Sequence, residues 1–284
     1  MTFTPVKLGD RDKVIANIEA NANRGHFNDK VEIHDPVLNL DQQHEVLKTY
    51  LALRQTHRYQ WRGAEARSMM NVAANMAAAD MKVRGAENLT NISWPAIITC
   101  NHFSPIDSLL VRSALKQPDL AIVVELTNLK MSGMLGFLMT YADTIPISDS
   151  IEYMGHEFIS LLKQALSHQQ SILIYPEREM WFNYRKPRPA ERGAYYYAVK
   201  LNVPIVSCFV SMVDAPTKND PHGIDFTFHI LPPIFPDQQS GTPREVADKM
   251  RRIDEQQKMT AYEAAYKRPF RPAFENQDIA GHYG

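Results

Sequence analysis

From Met81 onward, short apolar runs rich in β-branched residues alternate with segments of helical periodicity, and no other feature restricts the fold as much. Residues 96–100, 120–124, 171–175 and 203–206 are continuously apolar or nearly so. They are short for buried helices, and they lack the polar alternation of a strand with one wet face. They read as strands covered on both sides, the environment a parallel sheet creates when its crossovers lay helices on either face. Between them Ile106, Leu109, Leu110 and Ala114 recur at helical spacing. Phe158, Ile159, Leu161, Leu162 and Leu166 do the same within a helix expected over residues 152–168. The expectation is an α/β fold: a mostly parallel central sheet flanked by helices, with an N-terminal helical segment.

That segment occupies residues 1–80. It has a helical patch around Val14 to Ala22 and a break at Asp35-Pro36. Val46, Leu47, Tyr50, Leu51 and Leu53 then fall at helical spacing, followed by a stretch rich in Ala and Met over residues 64–81. Two placements are open. Packing on the core suits Ala-rich helices carrying single charges. Lying on a bilayer would use Tyr59, Trp61, Met69, Met70 and Met76 as the apolar side and Arg54, Arg58, Arg62 and Arg67 near lipid phosphates. The α/β core is expected over residues 81–240. Residues 241–284 then give a C-terminal helix and an irregular tail: Thr242, Pro243 and Glu245 form a capping pattern that opens a long polar helix, and periodicity is lost from Pro269.

The one stretch that concentrates chemistry follows the run at 96–100 and reads Asn101-His102-Phe103-Ser104-Pro105-Ile106-Asp107. Ser104 fits an N-cap, Pro105 the first helical position and Asp107 the third. His102 then sits in the loop at the carboxyl end of a strand, where open α/β sheets bind their ligands. Asp107 can fold back to fix the tautomer of the imidazole and leave the other ring nitrogen to take a proton from a hydroxyl. Two plainer readings stand beside this: Asp107 as a helix-capping carboxylate, and His102 as a metal ligand, for which no third and fourth ligand lie nearby in sequence.

Asn101-His102, with Asp107 after four intervening residues, resembles the signature of the glycerolipid or lysophospholipid acyltransferase family. The resemblance begins at Gly85 with Glu87-Asn88. It continues through a second block at Thr144-Ile145-Pro146-Ile147-Ser148-Asp149 and a third at Tyr175-Pro176-Glu177-Arg178-Glu179-Met180. It ends with Arg192-Gly193-Ala194 followed by Val203-Pro204-Ile205. Two blocks depart from the pattern. Ser148 and Asp149 stand where the family has an arginine for the acceptor's phosphate, and Arg178 replaces a glycine.

The resemblance implies an acyltransferase that moves a fatty acyl group from acyl-CoA, acyl-carrier protein or acyl phosphate to a hydroxyl of a lysophospholipid, glycerol phosphate or related lipid. His102 is implied as the base and Asp107 as its partner. Asn101, Ser104, Pro176, Glu177, Arg178 and Arg192 are implied in substrate binding, and backbone amides near residues 104–107 or Glu177 in oxyanion stabilisation. No metal and no cofactor beyond the acyl co-substrate are implied. Two alternatives of other classes are a metal-assisted hydrolase and a non-catalytic lipid-binding protein.

The loop from Arg178 to Arg192 carries Arg185, Lys186 and Arg188 interleaved with Trp181, Phe182 and Tyr184. It reads either as an anion-binding loop or as a solvated surface loop. A net charge of -1 excludes a nucleic-acid binder that works by bulk charge. Cys100 and Cys208 fall in expected strands and read as reduced core residues, which suits a cytoplasmic protein. The first residues show no apolar leader, and no run approaches the ~20 apolar residues of a membrane span. Contact with a lipid substrate is therefore expected to be peripheral, at the inner face of the cell membrane.

Overall fold

Each apolar run expected as a strand becomes one. The computed structural model describes residues 8–33 and 37–282, so the break expected at Asp35-Pro36 lies outside the described residues. The strands are β1 (Lys82–Arg84), β2 (Ile97–Thr99), β3 (Ala121–Glu125), β4 (Thr144–Ile147), β5 (Ile172–Ile174), β6 (Ile205–Asp214) and β7 (Ile224–Ile230). They form one seven-stranded sheet in the order β1-β7-β6-β2-β5-β3-β4. Every pairing is parallel except β6 with β7. β2 lies inside the sheet, with Thr99 opposite Ile174 of β5 and Ser207 of β6, so the chain leaves it at the centre of the carboxyl edge.

The helices are α1 (Leu8–Arg24), α2 (Leu40–Arg54), α3 (His57–Ala77), α4 (Asp107–Ala114), α5 (Gly133–Tyr141), α6 (Ile151–Gly155), α7 (Glu157–Ser167), α8 (Gly193–Leu201) and α9 (Pro243–Tyr266), and helices pack on both faces of the sheet. One apolar cluster joins Tyr50, Tyr59, Ala66 and Met70 to Ile98, Leu110 and Val210. The other joins Phe158, Leu162, Tyr195 and Met250 to Ile97, Ile172 and Ile205. Cys100 and Cys208 are free and buried, and burial pushes both thiols up. Gly85, at φ +79°, follows β1 and opens the short turn Ala86–Leu89; a Cβ there would stand 2.0 Å from the Ile230 carbonyl oxygen of β7, so the position requires glycine.

Two expectations about local structure change. The helix expected over residues 152–168 is two, broken at His156. Tyr153 and Phe158, five residues apart, would point about 140° apart on a continuous helix; the break lets both enter one cluster, their rings 6.2 Å apart. α4 starts at Asp107 and not at Pro105, with no side-chain cap, because Ser104 and Asp107 bond within the loop ahead of the helix. The tail from Pro269 is irregular apart from the short turn Asn276–Asp278, and within it Asp278, Ile279 and Ala280 are buried against the 183–186 loop while Arg271, Pro272 and Ala273 are exposed.

α2 and α3 pack on the sheet. The Tyr50 hydroxyl donates to the Thr144 carbonyl at 2.6 Å, and Arg67 pairs with Asp143 at 3.0 Å. The residues grouped as a lipid-facing side divide between two faces: Tyr59 and Met70 are buried, while Trp61 and Met76 are 70% and 69% exposed beside Val72 at 59%. α1 lies elsewhere, its Val14, Ile18 and Ala22 packed with Trp181, Phe182 and Tyr184.

Candidate active site

The 101–107 loop leaves the carboxyl end of β2 and turns directly into α4. Its conformation is fixed by hydrogen bonds to its own first helical residue. The Asp107 carboxylate, 3% exposed, accepts from the Phe103 and Ser104 amides at 3.2 and 3.4 Å through Oδ2. The same oxygen lies 2.6 Å from His102 Nδ1. A carboxylate at that distance holds the proton on Nδ1 in the neutral ring, which leaves Nε2 as an acceptor. Nε2 has no protein hydrogen-bond partner among the described residues, and the His102 side chain keeps 22% of its surface open.

The neighbouring strand completes the rim. β5 ends at Ile174, and Tyr175 stacks its ring on the imidazole at 4.0 Å and 12°. Its hydroxyl donates to the remaining oxygen of Asp107, Oδ1, at 2.6 Å. Burial, then the nearby Asp107 charge, pushes the Tyr175 phenol well above its ordinary range, so it remains a donor. The chain then turns at Tyr175-Pro176-Glu177-Arg178, closed by the Arg178 amide on the Tyr175 carbonyl at 3.2 Å. Arg178 adopts φ +66°, a left-handed conformation that a glycine takes without strain, and its side chain is exposed.

The loop that follows is neither solvated nor an open anion site. Trp181, Phe182, Tyr184, Arg185, Lys186 and Arg188 are all buried. Each of its three buried cations has an acid: Arg185 with Asp214 at 2.5 Å, Lys186 with Asp278 at 2.5 Å and Arg188 with Glu177 at 3.0 Å. Arg188 also donates to the carbonyls of Phe27, His102 and Glu179, and its guanidinium lies 4.7 Å from the centre of the Trp181 ring. Burial lowers its proton affinity while Glu177 opposes the effect. Reading this loop from sequence alone failed because the acids that match its cations come from residues as distant as 214 and 278.

The other residues expected to bind substrate fall into four settings. Glu177 is buried and saturated: besides Arg188, it accepts from the His102 amide at 3.2 Å and the Arg188 amide at 3.0 Å. The Asn101 side chain bonds both backbone groups of Val210, at 2.8 and 3.1 Å, and thereby ties the loop to β6. Ser104 and Pro176 are buried within the two turns, the Pro176 carbonyl accepting from the Glu191 amide at 2.7 Å. Arg192 precedes α8 and pairs with Asp248 of α9 at 2.7 Å.

The amides expected to stabilise an oxyanion near residues 104–107 are already engaged. Those of Phe103 and Ser104 bond Asp107, that of Ile106 bonds the Ser104 hydroxyl, and that of Asp107 bonds the Ser104 carbonyl. Glu179, unmentioned as a site residue on sequence grounds, also adjoins the rim. Burial and then Glu125 raise its carboxyl's proton affinity, with Lys30, Arg178 and His102 acting the other way. Among the described residues, no group of three or more His, Cys, Asp or Glu side chains is placed to hold a metal ion.

Comparison with known proteins bears on this geometry. The family model described as Acyltransferase matches residues 80–211, an interval that contains His102, Asp107, Tyr175 and Glu177. Among solved structures, the chain is similar to the 1-acyl-sn-glycerophosphate (LPA) acyltransferase PlsC from Thermotoga maritima. The identity is 16% and the TM-score 0.50, over 80% of this chain and 90% of that one. At that identity the likeness is one of fold. No curated protein matches the sequence.

Proposed function

Through residues 80–211 this chain belongs to the acyltransferase family, and on that premise we propose that it transfers a fatty acyl group to a lipid or lipid-precursor hydroxyl with His102 as general base. One observation carries the reading: an imidazole at the carboxyl edge of the sheet whose Nδ1 is held at 2.6 Å by a buried carboxylate while Nε2 has no protein partner among the described residues. Nε2 removes the proton of the acceptor hydroxyl as its oxygen attacks the acyl carbonyl. The thiol or phosphate of the donor leaves, and the imidazolium that forms is stabilised by Asp107. Base catalysis of this kind contributes about 10²–10⁴-fold, and positioning supplies much of the rest.

Acyl-CoA, acyl-carrier protein and acyl phosphate are the donor classes that fit this chemistry. The acceptor classes are a lysophospholipid, glycerol phosphate or a related lipid. Arg178 is the cation we assign to an acceptor's anionic group, since Arg185, Lys186, Arg188 and Arg192 each engage an acid. Peripheral contact with a membrane is supported by the exposed Trp61, Val72 and Met76, which share the face of α3 opposite its buried Tyr59, Ala66, Met70 and Ala74. No helix among the described residues is long and apolar enough to cross a bilayer.

The test is to incubate the purified protein with each donor class and a panel of lysolipid and glycerol phosphate acceptors, and to read products by mass spectrometry. The expected result is an acylated product formed by the wild type and not by His102→Ala, with both proteins folded by circular dichroism. A His102→Ala protein that forms product at the wild-type rate overturns the assignment.

A further inference from the structure

Tyr175 touches both members of the pair, and nothing in the base mechanism above accounts for it. The sheet brings it there: β2 and β5 set Thr99 opposite Ile174, so Tyr175 stands one residue past the edge beside the start of the His102 loop. Its ring lies parallel to the imidazole at 4.0 Å, and its hydroxyl reaches Asp107 Oδ1 at 2.6 Å. The three other donors to Asp107, from His102, Phe103 and Ser104, all go to Oδ2. Thus Oδ1 has the Tyr175 hydroxyl as its partner among the described residues. A phenylalanine would fill the same space and keep the stack, so the hydroxyl is the part that needs a role.

We propose that Tyr175 is a positioning residue that sets the pH at which His102 becomes a neutral base, by drawing part of the Asp107 charge to Oδ1 and away from Nδ1. The proposal rests on the reading of His102 as general base. A carboxylate shares one negative charge between two oxygens, and a strong donor at one oxygen leaves less to stabilise an imidazolium at the other. Without the hydroxyl, the two amides still hold Oδ2 in place, so the carboxylate faces His102 with its charge less shared. The imidazolium is then favoured, and the neutral base is reached only at higher pH.

The other charged groups around His102 do not substitute for this contact. Glu177 and Arg188 bind its backbone amide and carbonyl and pair with each other. Glu179, Arg178, Glu125 and Lys30 lie at the rim, where Lys30 meets Glu125 at 3.2 Å, and none of them bonds Asp107.

Tyr175→Phe removes the hydroxyl alone. Diethyl pyrocarbonate reacts with neutral imidazole, so its rate at His102 against pH, followed by peptide mass mapping with His102→Ala as the blank, reports the protonation directly. The curve is expected to move upward by about half to one pH unit in Tyr175→Phe. The acid limb of kcat/KM for acyl transfer should move with it. Tyr175→Leu, which also loses the stack, should move the curve the same way and lower the plateau as well. Curves for both variants that superimpose on the wild type, or move downward, overturn the proposal. If His102→Ala still transfers acyl groups while Tyr175→Phe moves the reactivity curve, the base reading falls and the tuning of His102 stands, so the two failures are distinguishable.

Discussion

Two loops leave neighbouring strands at the same edge of the sheet, and they use charge in opposite ways. The loop after β2 holds one imidazole and one carboxylate, and the pair leaves Nε2 without a protein partner among the described residues on a side chain that is 22% exposed. The loop after β5 holds more charge, yet its buried cations are closed off by Asp214, Asp278 and Glu177. Density of charged residues therefore does not mark the reactive loop. What marks it is an ionisable pair left with an unused, accessible valence; a fully matched buried pair is scaffold. The two loops also depend on each other, because Arg188 and Glu177 of the second grip the backbone of His102 in the first.

This contrast predicts where activity and stability separate. The largest effect is expected for Asp107→Asn: transfer falls by about 10²–10⁴-fold, because an amide cannot hold the imidazole in the needed tautomer and charge state. Its thermal midpoint should fall less than that of the next variant, since the amide still fills the site and keeps part of the hydrogen bonding. Steady-state kinetics together with a melt decide this; near-wild-type transfer would erase the distinction between the loops.

Next comes Glu177→Gln, which leaves the buried Arg188 guanidinium without its counter-charge. Breaking one side of a buried pair costs about 3–5 kcal/mol, and denaturant titration should show a loss of that order. Activity should decline through misplacement of His102. A Glu177→Gln protein as stable as the wild type would show that the second loop is not scaffold. The smallest effect is expected for Arg178→Gly. Relief of the left-handed backbone and the greater freedom of glycine in the unfolded chain oppose each other, so stability should stay within about 1 kcal/mol of the wild type. If Arg178 meets the acceptor's anion, the acceptor KM rises while the donor KM does not. Equal changes in both would remove that role.

The same contrast explains which parts of the molecule were legible in the sequence. His102 and Asp107 are five residues apart, and a strand–loop–helix step forces such neighbours together, so local order alone brought them into view. The stacking of Tyr175 and the locking of Arg188 were not visible. The first needs β5 beside β2, across 68 residues to Asp107, and the second needs a loop folded back on itself beneath Trp181. The break at His156 was hidden for a similar reason, since periodicity records which residues are apolar and not that Tyr153 must also reach the Pro146 carbonyl.

By itself, the order of residues determined the parallel α/β sheet, the place of His102 at its carboxyl edge and the long capped helix α9. Those follow from short unbroken apolar runs, from a period of 3.6 residues and from short-range capping, which act within a few positions. Only the tertiary structure decided which cations are sealed, which faces of α3 are wet and which hydroxyl reaches Asp107. Each of those depends on a charge or a hydrogen-bond partner supplied from far along the chain, and desolvation makes the presence or absence of that partner decisive.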